Sequence, residues 1–573
     1  MTDRMRLGGA ADALSLTALG ASAVLTAPVF ESGALGVGMG LTAAGMAWLA
    51  SRRLEPLQTA HILGSPLNLT SSKLLSNPED GILLGYRTDT GKPVYLDEDS
   101  VSRHVLSQGG SGYGKTALTK LVALQRMAIG GGFLYVDAKR DQKDVDELYQ
   151  FAVLTGRVQD MIVVDPGNPS QSHTYNPIAD GDEDEIADRI LTWIPASTTS
   201  PGADHYRQSA RQGIATLVGA LKALGLAYNF IDLAILIQNQ KALQELEDRM
   251  RKALPFHPAT KNLSLFLEGY KGGFGMADHS QGLQSQINMK RLKETFGGVA
   301  GRLHQFGTGR FGAVVNSYSP EFRMFDAIRD NKIVIIRLPR LGKPEAAEAF
   351  MKMALADFRT AMAWFQERVA DRPSPRFLCL MDEFGAYALS NMDQPFEMGR
   401  TSGLSLWALF QSYGQLDKVS PEFKQIVNAT TYTKIFFGLG DTVGAEEAAN
   451  VIGQTTVVKE SISSSARDSA STPKVAVAPD GGSSADEGLS ISETEELDFR
   501  VTPDEVRSLS IGEAIVVHKG GEMFHILIPE IRVEPELAKE IGSTRILHRK
   551  TPPVKGCDYF KNSDRYLTSA KAH

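Results

Sequence analysis

Gly109-Gly110-Ser111-Gly112-Tyr113-Gly114-Lys115-Thr116 is the stretch on which the fold of this chain turns. It is a complete G-x-x-x-x-G-K-T phosphate loop. Its glycines let the backbone fold N–H groups around phosphate oxygens, Lys115 is placed to reach the β and γ oxygens, and the Thr116 hydroxyl is a Mg²⁺ ligand. The context agrees with the pattern. Residues 102–106 read as a strand before the loop. After it, Leu118, Leu121, Val122, Leu124 and Met127 supply the apolar positions of a helix that stops at Gly130-Gly131-Gly132. A chance glycine-rich turn is the competing reading, and pattern and context together outweigh it. ATP and Mg²⁺ are therefore the expected cofactors.

Working outward, residues 133–137 and 161–165 are short β-prone apolar runs, each following a segment of helical composition. Strands alternating with helices predict a parallel sheet. Two further strands are expected at 332–338 and 377–381, and the second runs straight into Asp382-Glu383. Downstream of a phosphate loop, an apolar strand ending in Asp-Glu predicts that Asp382 orients the metal's water shell and that Glu383 polarises an attacking water. Alone, such a pair is as often a polar strand cap. Residues 404–410 form the next strand, and Gln411 at its end is placed to sense a γ-phosphate or, equally, to cap the following helix. Arg400, just before that strand, is a candidate arginine finger of the kind that ring ATPases draw from a neighbouring subunit. The competing role is service to a helix dipole.

Sixty Lys and Arg against 67 Asp and Glu leave a net charge of −7, so no global basic field holds nucleic acid and any such contact is local. The composition, 42% hydrophobic and 22% charged, excludes whole-chain disorder and fibrous classes. Cys379 and Cys557 suit neither a disulfide framework nor a zinc site. Residues 13–30 and 32–51 carry no charge and are separated by Glu31. At helical rise these runs are about 27 and 30 Å long, the thickness of a bilayer core. Arg4 and Arg6 before them and Arg52 and Arg53 after them place both ends inside. The expectation is a transmembrane hairpin. A cleavable signal peptide and a buried glycine-rich hairpin are the alternatives.

The expected organisation is the hairpin over 1–53, a first part of a nucleotide-binding domain over 54–177, an all-α domain over 178–322, and the second nucleotide-binding part over 323–543. Inside the all-α domain, Ile214, Leu217, Val218 and Leu221 make an apolar stripe. Lys290, Arg291 and Lys293 are candidate DNA-path residues, although a charge run is more often a solvated helix face. Nine serines in 461–490 and an acidic stretch after them predict a flexible insertion over about 459–498. Residues 513–518 and 523–529 read as a β-hairpin completing the sheet. The last thirty residues, 544–573, carry seven Lys or Arg and two acids, and read as a basic, solvated tail.

These motifs resemble the coupling ATPases of type IV secretion and conjugation systems, of the TraD, TrwB and DotL kind. The resemblance rests on the hairpin, the loop from Gly109 to Thr116, Val136-Asp137-Ala138-Lys139, Tyr175-Asn176-Pro177, Leu380-Met381-Asp382-Glu383-Phe384-Gly385 and the strand exit from Gln411 to Leu416. Residues 331–344, with the Leu338-Pro339 turn, look most like the DotL and I-type TrbC branch. Lys139-Arg140-Asp141 departs from the Lys-Gly-acid usual in relatives. The resemblance implies a RecA-like P-loop NTPase domain with an inserted all-α domain facing the cytoplasm. It further implies a homohexamer at the bacterial inner membrane, partnered by secretion-channel subunits. Its substrates would be a relaxase with single-stranded DNA, or effector and adaptor proteins. Two other readings stay open: a nucleotide-regulated docking receptor for proteins, and an FtsK-like or HerA-like duplex DNA pump.

Overall fold

Most of the apolar runs become strands of one eleven-stranded sheet, and four further strands form two two-stranded sheets. In chain order the strands are β1 Asn68–Thr70, β2 Ile82–Arg87, β3 Pro93–Leu96, β4 Val105–Gln108, β5 Phe133–Asp137, β6 Met161–Val164, β7 Ile333–Arg337 and β8 Phe377–Met381. There follow β9 Leu404–Phe410, β10 Thr433–Phe437, β11 Gln454–Ser465, β12 Gly488–Phe499, β13 Glu513–His518, β14 Met523–Leu527 and β15 Glu530–Arg532. This computed structural model describes residues 68–70, 81–192, 201–271, 287–388, 392–465, 488–518 and 521–567. The hairpin expected at 13–30 and 32–51 lies outside the described residues. Among the described residues no helix is long and apolar enough to cross a membrane.

The chain divides into two units, one holding Gly438–Leu509 and the other Gln58–Phe437 with Ser510–His573. The large sheet belongs to the second, in the order β3-β2-β14-β13-β10-β4-β9-β8-β5-β7-β6. From β10 to β6 every neighbouring pair is parallel. The strands β13, β14, β2 and β3 extend it antiparallel. All residues of β4 to β9 are buried, which is why these strands read as continuous apolar runs rather than alternating ones. The helix Lys115–Ala128 packs Leu118, Leu121 and Val122 onto the face that carries Val105, Leu409 and Phe437.

One strand starts later than expected. Residues Glu98–Ser102 form a short helix in which the Asp97 carboxylate accepts the Ser100 N–H at 2.8 Å, so β4 begins only at Val105. The β13–β14 hairpin pairs as expected and joins the sheet through β10.

Between β6 and β7 lie the helices Glu183–Leu191, Pro201–Ala223, Phe230–Gln238, Gln240–Ala253, Pro258–Glu268, Met289–Gly307, Gly309–Val315 and Met324–Arg329. Ile214, Leu217, Val218 and Leu221 are buried, as the stripe requires. Two capping boxes, Asp182 with Glu185 and Asn229 with Asp232, start helices at the ends of polar turns. Arg189 secures this region to the helix Pro344–Glu367. It donates to the carbonyls of Pro177 and Asp180 and to Thr360 Oγ1, and it pairs with Asp357 at 3.0 Å on the helix Pro344–Glu367. The Tyr175 hydroxyl donates to the same carboxylate at 2.7 Å.

Two expectations are corrected. The C-terminal segment is not a solvated tail: Cys557, Tyr559 and Tyr566 are buried, the Cys557 N–H donates to the Ala227 carbonyl, and the Phe560 N–H donates to Asp232. Its lysines and arginines dominate the composition, while a few aromatic rings suffice to dock it. The expected flexible insertion over 459–498 is also partly replaced. In the smaller unit β11 and β12 pair antiparallel along their whole length, from Gln454 opposite Phe499 to Ser465 opposite Gly488. A ladder satisfies its own N–H and C=O groups pair by pair, a gain that composition does not register.

Candidate nucleotide site

Four neighbouring parallel strands, in the order β4, β9, β8 and β5, end on the same edge of the sheet. At about 4.8 Å per strand, their exits fall within roughly 14 Å of one another. The phosphate loop leaves β4, Gln411 leaves β9, Asp382 and Glu383 leave β8, and Lys139 follows β5. Ligands of open α/β sheets bind outside such carboxyl ends.

The loop is shaped by its glycines where shape requires them. Gly112 and Gly114 have φ of 85° and 115°, and Gly114 is the N-cap of the helix that carries Lys115 and Thr116. At Gly109 an added Cβ would stand 2.5 Å from the Cβ of Phe437. The Lys115 ammonium donates to the carbonyls of Gly109 and Gly110, the latter at 2.9 Å. Burial lowers its pKa, against the pull of Asp382 and Glu383.

Opposite the loop, Asp382 and Glu383 are both buried. Glu383 is held at φ 53°, a left-handed conformation that turns the chain out of β8 immediately after the aspartate. Gln411 Nε2 donates to both of its carboxylate oxygens, at 2.8 and 3.0 Å. Asp382 Oδ1 accepts the Glu383 N–H at 3.0 Å. Burial raises the Asp382 pKa, with Lys139 opposing. A hydroxyl on the first turn of a helix, a buried carboxylate close enough to act on the loop's Lys115 and a glycine-rich backbone are the donor set that a magnesium-bound nucleotide requires. Thr116 and Asp382 are the residues that would hold the metal.

Sequence reading placed Lys139 in the Val136-Asp137-Ala138-Lys139 step and in a departure from pattern, gave it no role, and missed what supports it. The Lys139 ammonium lies 3.5 Å from Asp382 Oδ2 and 3.7 Å from Glu383 Oε1. The Asp137 carboxylate accepts the N–H groups of Lys139 and Arg140, at 3.1 and 2.6 Å. Arg140, at φ 59°, donates to both Asp165 oxygens at 3.1 Å. Buried Arg337, from the end of β7, bridges Asp137, Asp165, Gln142 and the Arg140 carbonyl. An arginine closing an otherwise apolar strand was the available signal.

Arg400 is not brought to this site. It precedes β9, whose seven residues span about 23 Å to Gln411, and it pairs with exposed Asp99 at 3.1 Å. A cleft of about 770 Å³ opens at that opposite edge, lined by Glu98, Arg372, Arg376 and Arg400 among others. Lys290, Arg291 and Lys293 are exposed on the helix Met289–Gly307, and the Arg291 guanidinium stacks over the Tyr270 ring.

Residues 376–510 match the family described as the TraM recognition site of TraD and TraG. The chain is 23% identical over 394 residues to the type 4 coupling protein DotL of Legionella pneumophila, a match covering 61% of this chain and 49% of that one. Its fold is similar to the conjugative coupling protein TrwB in an unbound form, with a TM-score of 0.51 and 17% identity over 82% of this chain and 97% of the other. These matches make the chain similar to type IV coupling proteins. A structure of TrwB in complex with ADP and Mg²⁺ aligns with a TM-score of 0.50 and 15% identity, over 86% of this chain and 99% of that one. Against the curated coupling protein DotL, the present chain spans about half the relative's length.

Proposed function

We propose that this chain is a coupling ATPase that recruits and drives relaxase-bound DNA or protein substrates into a type IV secretion channel, as a hexamer anchored in the bacterial inner membrane. The convergence of the Gly109–Thr116 loop, Asp382, Glu383 and Gln411 on one sheet edge carries the reading. Backbone N–H groups of the loop and Lys115 bind the phosphates, and Thr116 and Asp382 hold Mg²⁺. When bound, the metal offsets charge on the β and γ oxygens. Glu383 orients and polarises the attacking water, and Gln411, tied to Glu383, reports the γ-phosphate to β9. Closure of subunit interfaces then moves the helices between β6 and β7.

Arg400 lies a full strand length from its own chain's Gln411, so its candidate role is as an arginine finger for the nucleotide of a neighbouring subunit. Arg400→Ala should lower turnover by about 10³-fold or more. Mixing Arg400→Ala chains with Lys115→Ala chains should restore part of the rate, since each supplies what the other lacks. If Arg400 served only its exposed pair with Asp99, the substitution would leave turnover unchanged.

The direct test is ATP turnover by the full chain, titrated with single-stranded and duplex DNA at low and physiological salt, with Lys115→Ala as blank. Saturable stimulation by single strands that weakens with salt is expected. A preference for duplex would favour a double-strand pump. Turnover indifferent to DNA in assembled rings would overturn the DNA-driving role and leave a protein receptor.

A further inference from the structure

Three groups converge on the Asp382-Glu383 step, and only one of them comes from a loop built to hold it rigidly. Lys115 spends its ammonium on its own loop, at the carbonyls of Gly109 and Gly110. Gln411 is neutral and occupies Glu383 alone. The Lys139 ammonium lies within 4 Å of both carboxylates. Its backbone is clamped by Asp137, and the next residue is locked onto Asp165. The side chain is nonetheless 41% exposed, against 5% for Asp382 and 9% for Glu383. With its backbone fixed and its side chain partly open to water, Lys139 can leave the carboxylates by rotating its side chain without disturbing the loop.

A divalent ion held through Asp382 and an ammonium 3.5 Å from Asp382 Oδ2 compete for the same oxygens, because like charges that close together repel strongly in a buried site. We propose that Lys139 is an exchangeable counter-ion of the Asp382–Glu383 pair, which offsets part of the charge of the two buried carboxylates and withdraws to solvent in exchange for magnesium. The inference rests on the nucleotide-site reading above and adds to it a residue that sets the site's demand for metal. By this account the β5 loop keeps two adjacent acids compatible with folding, and releases them only when another cation replaces the lysine.

Lys139→Met, which keeps length and removes charge, tests this in the full chain. Without nucleotide, the variant should melt about 5 °C below wild type, and magnesium chloride should restore the loss at concentrations that barely shift wild type. Half-saturation by magnesium should fall about tenfold. Affinity for ADP, measured calorimetrically, should be unchanged in EDTA and unchanged or tighter in magnesium. Lys139→Arg should keep the wild-type magnesium response. Equal weakening of ADP in EDTA and in magnesium would make Lys139 a phosphate ligand and overturn the proposal, as would identical magnesium melting shifts for variant and wild type. A Lys115→Ala control separates the two readings. If ADP binding survives it, the nucleotide-site reading fails, whereas the magnesium melting shift judges Lys139 without nucleotide.

Discussion

Glu383→Gln should reduce ATP turnover by about 10²–10⁴-fold, the range that a positioned general base contributes, while leaving ATP bound. The substitution is close to isosteric. Its carboxamide oxygen still accepts from Gln411 Nε2, which lies 2.8 and 3.0 Å from the two carboxylate oxygens. The backbone at φ 53° asks the same of either residue, so the turn out of β8 persists. What disappears is the negative charge that polarises water. The phosphate loop, Lys115, Thr116 and Asp382 are untouched, so ATP affinity should stay within a few-fold of wild type. Steady-state turnover and equilibrium ATP binding on the same preparation check both halves. Turnover at the wild-type rate would remove Glu383 from the chemistry.

Arg189→Ala should cost about 3–5 kcal/mol of stability, because it strands a buried carboxylate and three further acceptors. Arg189 is 1% exposed and Asp357 5%. Even with its partner, Asp357 has a pKa pushed up to about 6 by burial, opposed by Arg189 and by the Tyr175 hydroxyl. Removing Arg189 pushes it higher. A carboxyl whose folded pKa exceeds its unfolded one favours the fold fully below the unfolded value and loses that contribution as pH rises through the folded value. In wild type the decline therefore runs from about pH 4 to pH 6. In the variant it continues to higher pH, so the deficit against wild type should be smallest near pH 4 and largest at pH 8. Adding Asp357→Asn should recover part of the loss. Urea unfolding at the two pH values measures this, and a deficit below about 0.5 kcal/mol at pH 8 would contradict the anchoring role of the pair.

Several parts of the site were legible in the order of residues because they are local. The bounds of β5, β8 and β9 coincide with apolar runs closed by Asp137, by Asp382 and by Gln411. Strands buried on both faces leave that mark in any single sequence. The phosphate loop declares itself through glycine spacing and the lysine that follows. Less local features were hidden. The helix at Glu98–Ser102, capped by Asp97, takes Ser102 out of the expected strand, and β4 starts only at Val105. The C-terminal segment looked soluble because charge counts conceal the buried Cys557, Tyr559 and Tyr566.

By itself, then, the sequence determined that this chain builds a phosphate loop, which residues end its strands, and which of them carry acids, amides and cations at those ends. Only the tertiary structure decided which ends meet. β4 is followed in the chain by β5 but lies beside β9 and β10, and that order brings Gln411 onto Glu383 and Lys139 onto Asp382 while leaving Arg400 a strand's length away. The reason is physical. Parallel strands find their neighbours through crossover connections and hydrogen-bond register rather than through adjacency in the chain, so the proximity of two strand ends is a property of the closed sheet and of no segment within it.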